Sequence, residues 1–173
     1  MVVNSLTETI SLISAVQPLS LLQRRLGENA LMFPTEGNLV DAFIFHLGAG
    51  SFPWATRAVV REFDYVSGRT DILSLTQGNE IIAFEAKLSN WRKAIHQAWR
   101  NTSFANQVYV VLPRKLAMTA IKNRAEFDER GVGLCVVDED GVEVVIDCSH
   151  SQPVMPWLNR KAMHALVGNE CIH

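Results

Sequence analysis

The chain has 173 residues, of which 48% are apolar and 20% charged, with a formal net charge of −2. Those proportions exclude a disordered chain and suit one compact domain with a real core. No apolar run is long enough to cross a bilayer, and three cysteines without a CxxC pair argue against a disulfide framework or a zinc site.

The first 34 residues read as a helical extension. Ser5 and Glu8 resemble a capping box opening a helix with Ile10, Ile13 and Val16 on one side. Pro18 separates it from a second short helix, Leu19–Leu26, closed by Gly27. The stretch lacks the cationic leader and cleavage site of a secretory signal, so the expected compartment is a reducing cytoplasm.

Thr35 is placed to cap a helix from Glu36 to Leu47, ended by Gly48 and Gly50. A strand is expected over Thr56–Tyr65, then a turn at Ser67-Gly68 and a strand over Thr70–Leu75. The turn Gln77-Gly78-Asn79 leads into a strand over Glu80–Lys87, so these two strands form a hairpin. Ser89 or Asn90 caps a helix reaching Trp99 or Arg100, with Trp91, Ala94, Ile95, Ala98 and Trp99 on its apolar side. Gln107–Leu112 is a strand ended by Pro113. Further expectations are a helix over Lys115–Arg130, a strand over Gly133–Val137, a turn at Asp140-Gly141, a strand over Val142–Ile146 and a helix over Met155–Leu166.

The strand Gln107–Leu112 follows a helical crossover, so it lies parallel to its neighbour. The result is an α/β fold, a mixed sheet flanked by helices. Residues 1–173 form a single domain, with 1–34 as the extension, 35–112 as the core, and 113–173 adding a β-hairpin and a helix.

Asp71, Glu85 and Lys87 carry the chemistry. Residues two apart on a strand share a face, so Glu85 and Lys87 point the same way. If the strand of Asp71 pairs with theirs, two carboxylates and an ammonium converge. Such a group can hold a divalent metal and offset charge developing on a phosphate. The charge pattern agrees. Between Lys87 and Ala125 stand eight Lys or Arg and no Asp or Glu, which suits a polyanion lying beside the site.

With its Asp on one strand and Glu85-Ala86-Lys87 on the next, the order helix, three strands, helix, strand resembles the PD-(D/E)XK nuclease superfamily, with its αβββαβ restriction-endonuclease-like core. The resemblance spans Glu36 to Leu112. Thr70 stands where the family motif has proline. The resemblance implies a metal-dependent nuclease that hydrolyses phosphodiester bonds in DNA. It also implies Mg²⁺ or Mn²⁺ held by Asp71, Glu85 and the Ala86 carbonyl, with Lys87 positioning water or stabilising the transition state. An additional acid on the first core helix falls on Glu36, with Asp41 as second choice. A Gln or basic residue on the following helix falls on Gln97, with Arg92, Lys93 and His96 as rivals. Arg92, Lys93, His96 and Arg100 are the expected nucleic-acid contacts. Trp91 and Trp99 are expected to pack on the sheet rather than stack on bases.

The alternative is a module that binds nucleic acid or protein on a nuclease-like scaffold and does no chemistry. A homodimer, or a larger defence or mobile-element complex, is the expected assembly, because a double-strand cut needs two sites.

Overall fold

The computed structural model describes residues 33–50, 53–66, 68–138 and 141–168. The expected helices within residues 1–32 and the Asp140-Gly141 turn tip lie wholly or partly outside these residues. The elements in chain order are α1 (Glu36–Gly48), β1 (Thr56–Tyr65), β2 (Gly68–Thr76), β3 (Ile81–Ala86), α2 (Trp91–Asn101) and β4 (Gln107–Pro113). They continue with α3 (Arg114–Ile121), α4 (Arg124–Asp128), β5 (Gly133–Val137), β6 (Val142–Ile146) and α5 (Pro156–Val167).

The six strands form one mixed sheet in sequence order, β1-β2-β3-β4-β5-β6. The β1–β2, β2–β3 and β5–β6 pairs are antiparallel, and β3–β4 and β4–β5 are parallel. Both parallel steps are made by helical crossovers, as a parallel neighbour requires. The expected α/β class, with a mixed sheet flanked by helices, is what the chain forms.

Two cores lie on opposite faces of the sheet. One is built by Leu73, Leu75, Ile81, Ala83, Val108 and Val110 against α2, α3, α4 and α5. The other sets Ile72, Ile82, Phe84, Tyr109 and Val111 against Leu39, Phe43 and Leu47 of α1. The central strand β3 is buried along its whole length, which matches its run of apolar residues. Helix α2 buries Trp91, Ala94, Ile95, Ala98 and Asn101, a stripe at helical spacing. Thr35 caps α1 by accepting the Asn38 N–H, as its sequence position predicted.

Several boundaries differ from expectation; β3 ends at Ala86, one residue before Lys87. The helix expected over Lys115–Arg130 is two helices, because Asn123 leaves helical geometry at φ −114°, ψ 36°. β2 starts at Gly68 rather than Thr70 and runs to Thr76, and Ser67 of the expected turn lies outside the described residues. Of the two expected caps for α2, Asn90 is the one that serves, from the left-handed region at φ 47°.

Candidate active site

The site lies where β2 and β3 separate. Their pairing runs from Leu75↔Ile81 to Ile72↔Phe84 and ends there, while β3 stays paired to β4 through Ala86↔Val111. The next residues along β2 and β3 are Asp71 and Glu85. At this fork the Ala86 N–H donates to Asp71 Oδ2 at 2.9 Å. A carboxylate has replaced a strand as the partner of that backbone group.

On the far side of β2, Glu62 of β1 lies between the pairs Arg61↔Ile72 and Phe63↔Thr70, opposite Asp71. It holds φ 53°, a left-handed value inside a strand. Ala58 and Val60 pack in the same core as Phe63 and Tyr65. The strand therefore changes phase at Arg61-Glu62. Such a residue costs about 1–2 kcal/mol and is kept where neighbouring structure fixes it.

Glu85 is fully buried. Its Oε1 accepts from Asn101 Nδ2 at 2.7 Å, while its Oε2 is buried and no N–H or hydroxyl donor among the described residues reaches it; the partner left to the carboxyl is Asp71. Burial, and then the charge of Asp71, push its pKa up from 4.5 to about 8, against the opposing Asn101 hydrogen bond and Lys87 charge; a hydrogen bond from the protonated carboxyl to Asp71 adds to the rise. Two carboxyl groups this close, one of them buried, need a proton or a further cation between them.

The Lys87 ammonium meets three oxygens. It donates to the Ala86 carbonyl at 2.8 Å and to Glu36 Oε2 at 3.1 Å, and lies 3.5 Å from Asp71 Oδ2. Burial works against its charge, yet Asp71, Glu36 and Glu85 together raise its pKa. Glu36 Oε1 also accepts the Leu88 N–H at 3.4 Å, tying the start of α1 to the end of β3. A cleft of about 160 Å³ opens here, lined by Glu36, Gly37, Val40, Arg61, Glu62 and Asp71.

Asp71, Glu85, Lys87 and Glu36 therefore come together, and Asp71 and Glu85 are adjacent across the fork. Asp41, the second choice for a helix acid, pairs instead with Arg61. No hydrogen bond among the described residues joins Gln97 to this group, and its amide oxygen is buried without a partner. Arg92 is engaged by Glu126 at 2.8 Å and lies over the Trp91 ring, 4.2 Å from its centroid. Lys93, His96 and Arg100 are exposed on α2. Trp91 stacks on Phe127 in the core as expected, whereas Trp99 is 51% exposed, contrary to expectation. Trp99 falls on the rim of the apolar stripe, past the edge of the sheet core.

Sequence reasoning missed the group that holds Glu85. Asn101 Oδ1 accepts from Tyr65 OH and Thr70 Oγ1, each at 3.0 Å. Those two donors fix the amide so that its Nδ2 faces Glu85. The signal was present: Asn101 lies seven residues after Ala94 on the buried stripe of α2, where an apolar residue would be expected.

Among the described residues no three or more His, Cys, Asp or Glu side chains converge as a metal-ligand cluster. Two carboxylates and a backbone carbonyl remain as hard oxygen donors. The Glu85–Asp71 carboxyl pair, now bridged by a proton, is the feature that a divalent cation fits.

No protein-family model and no curated protein matches this sequence. Among solved structures, a protein of unknown function from Silicibacter pomeroyi is similar at a TM-score of 0.49 and 17% identity, over 65% of this chain and 73% of that one. SfsA from Pyrococcus furiosus, solved in complex with Ca²⁺, gives a TM-score of 0.37 and 14% identity, over 61% of this chain and 62% of that one. A repair endonuclease from Pyrococcus abyssi gives 0.33 and 14%, over 49% and 39%. At such scores the chemistry of the site rests on its own geometry. No helix among the described residues is long and apolar enough to cross a membrane.

Proposed function

We propose that this protein is a metal-dependent nuclease of the PD-(D/E)XK type, hydrolysing phosphodiester bonds in DNA with Mg²⁺ or Mn²⁺. The observation that carries the reading is the buried Glu85 carboxyl against Asp71, with an oxygen that no N–H or hydroxyl donor among the described residues reaches. Asp71, Glu85 and the Ala86 carbonyl would hold the ion. When bound, it polarises a phosphate oxygen and lowers the pKa of a water.

The rest of the work falls to the protein. Asn101, held by Tyr65 and Thr70, orients the Glu85 carboxylate. Lys87 supplies fixed positive charge against the negative charge that builds on phosphate oxygens, or orients the attacking water. Its neighbours keep it protonated, which suits a charge stabiliser better than a base. Glu36 holds that ammonium from the helix side. The cations between Lys87 and Ala125 would attract the nucleic acid.

One observation favours a second reading, a binding module without chemistry. The Lys87 ammonium already meets Asp71, Glu36 and the Ala86 carbonyl, so a metal must compete with it.

The test incubates purified protein with labelled single-stranded, duplex and branched DNA, with Mg²⁺, Mn²⁺ or EDTA. The nuclease reading expects cleavage that needs metal and falls at least about 10²-fold in Asp71→Ala and Glu85→Ala. No cleavage of any substrate, together with no heat on Mn²⁺ titration, rejects it in favour of the binding module.

A further inference from the structure

A second concavity, of about 470 Å³, lies on the α2 and α5 face of the sheet. Its walls are Trp99 from α2 and Trp157 from the first turn of α5. Tyr65, Val66, Arg100 and Met155 also line it. Trp99 is 51% exposed, Trp157 50% and Val66 89%, so large apolar side chains stand open to solvent around it. A contiguous apolar patch of this kind marks a contact surface.

The walls are fixed. The Met155 N–H donates to the Ser103 carbonyl at 2.8 Å, and Asn159 Nδ2 donates to the Phe104 carbonyl at 2.8 Å. These two bonds tie the start of α5 to the turn that follows α2. The indoles are thus held in place on two anchored helices.

The chemistry of the lining selects an occupant. No Asp or Glu lines the groove, and the Arg100 guanidinium does. Trp99 and Arg100 lie within the acid-free stretch from Lys87 to Ala125. Indole faces beside a guanidinium match a ligand that is flat and aromatic on one side and anionic on the other. An unstacked nucleobase with its phosphate has that form. In a duplex the base faces are covered by their neighbours, so the groove discriminates against it.

The groove is also joined to the candidate active site. Tyr65 on its floor donates to Asn101, and Asn101 donates to Glu85. Gly68 at the start of β2 lies against the Tyr65 and Arg100 side chains of the groove, and Asp71 is three residues further along that strand, a span of about 10 Å. A strand lying in the groove is within reach of the fork.

We infer that this groove binds single-stranded DNA, stacking bases on Trp99 and Trp157 and drawing phosphate to Arg100. The inference rests on the nuclease reading for its biological sense, since it names the strand that the site would cut. It is tested without cleavage.

The experiment measures fluorescence anisotropy of labelled dT20 with the full chain in EDTA, at fixed salt. The competitors are a 20-bp duplex and an abasic strand of equal charge. Binding of dT20 should exceed binding of the duplex and the abasic strand. Trp99→Ala and Trp157→Ala should each weaken dT20 binding at least about 5-fold, the lower end of what one stacked base contributes. Trp99→Phe and Trp157→Phe, which keep a ring, should retain most of it, separating stacking from a folding defect. Equal affinity of the wild type and the double alanine variant for dT20 would overturn the proposal. So would light scattering showing that the double variant turns a dimer into a monomer while dT20 affinity is unchanged, because the groove would then serve self-association. Stacking-dependent binding without cleavage of any substrate leaves the groove standing and rejects the nuclease. Cleavage indifferent to both tryptophans, with unchanged dT20 binding, does the reverse.

Discussion

Glu85 makes the protein's stability depend on pH in an uncommon direction. Its folded pKa is about 8 against an ordinary 4.5, because it is buried and Asp71 lies beside it. Between those values the folded protein keeps a proton that the unfolded chain has released. Its contribution is therefore fully present below pH 4.5 and is lost as pH rises to about 8. Each unit of pH in that window removes about 1.4 kcal/mol. From pH 5.5 to 8.5 the metal-free protein should lose roughly 3 kcal/mol, before allowance for other groups. Glu85→Gln keeps an acceptor for Asn101 and has no proton to lose. Its stability should be nearly level over the same range, so that it overtakes the wild type near neutrality. The assay is urea unfolding in EDTA followed by circular dichroism at pH 5.5, 7.0 and 8.5, checking that the m-value stays constant. Added Mn²⁺ should flatten the wild-type profile, because the ion replaces the proton. Parallel pH profiles for wild type and Glu85→Gln would refute the buried-carboxyl account.

Three further outcomes follow from particular contacts. Lys87→Met removes the ammonium that meets Asp71 and the Ala86 carbonyl, so calorimetric Mn²⁺ affinity should hold or tighten while DNA cleavage falls roughly 10²–10³-fold. Asn101→Ala removes the donor that favours the Glu85 charge. It should raise the Glu85 pKa further, shift the pH at which Mn²⁺ binds upward, and lower stability by about 1–3 kcal/mol in urea. Gly133→Ala sets a methyl group into the Tyr109 ring and 2.8 Å from the Ile146 carbonyl, so the melting temperature should drop with a loss of about 1–3 kcal/mol.

Much of this fold is legible in the chain because its signals are local. The apolar runs of β3 and β4, the helical stripe of α2 and the Thr35 cap each specify an element, and together they imply a parallel crossover. The juxtaposition of Asp71 with Glu85 follows from the β2–β3 register, which the short turn at Gly78-Asn79 sets. What the sequence hides is long-range. Asn101 meets Glu85, Thr70 and Tyr65 only after α2 docks across the strands. Arg92 looks available for a phosphate until α4 brings Glu126 to it, and Asp41 looks available for a metal until β1 brings Arg61. Trp99 differs by position alone: it continues the apolar side of α2 but extends beyond the sheet, into the groove shared with Trp157.

The central claim is that the fork between β2 and β3 binds a divalent cation, and anomalous diffraction from crystals soaked in Mn²⁺ tests it most directly. The account predicts a Mn²⁺ peak about 2.0–2.3 Å from carboxylate oxygens of both Asp71 and Glu85, with Glu85 Oε2 among its ligands. A peak elsewhere, or none there at saturating Mn²⁺ and pH 8.5, contradicts it.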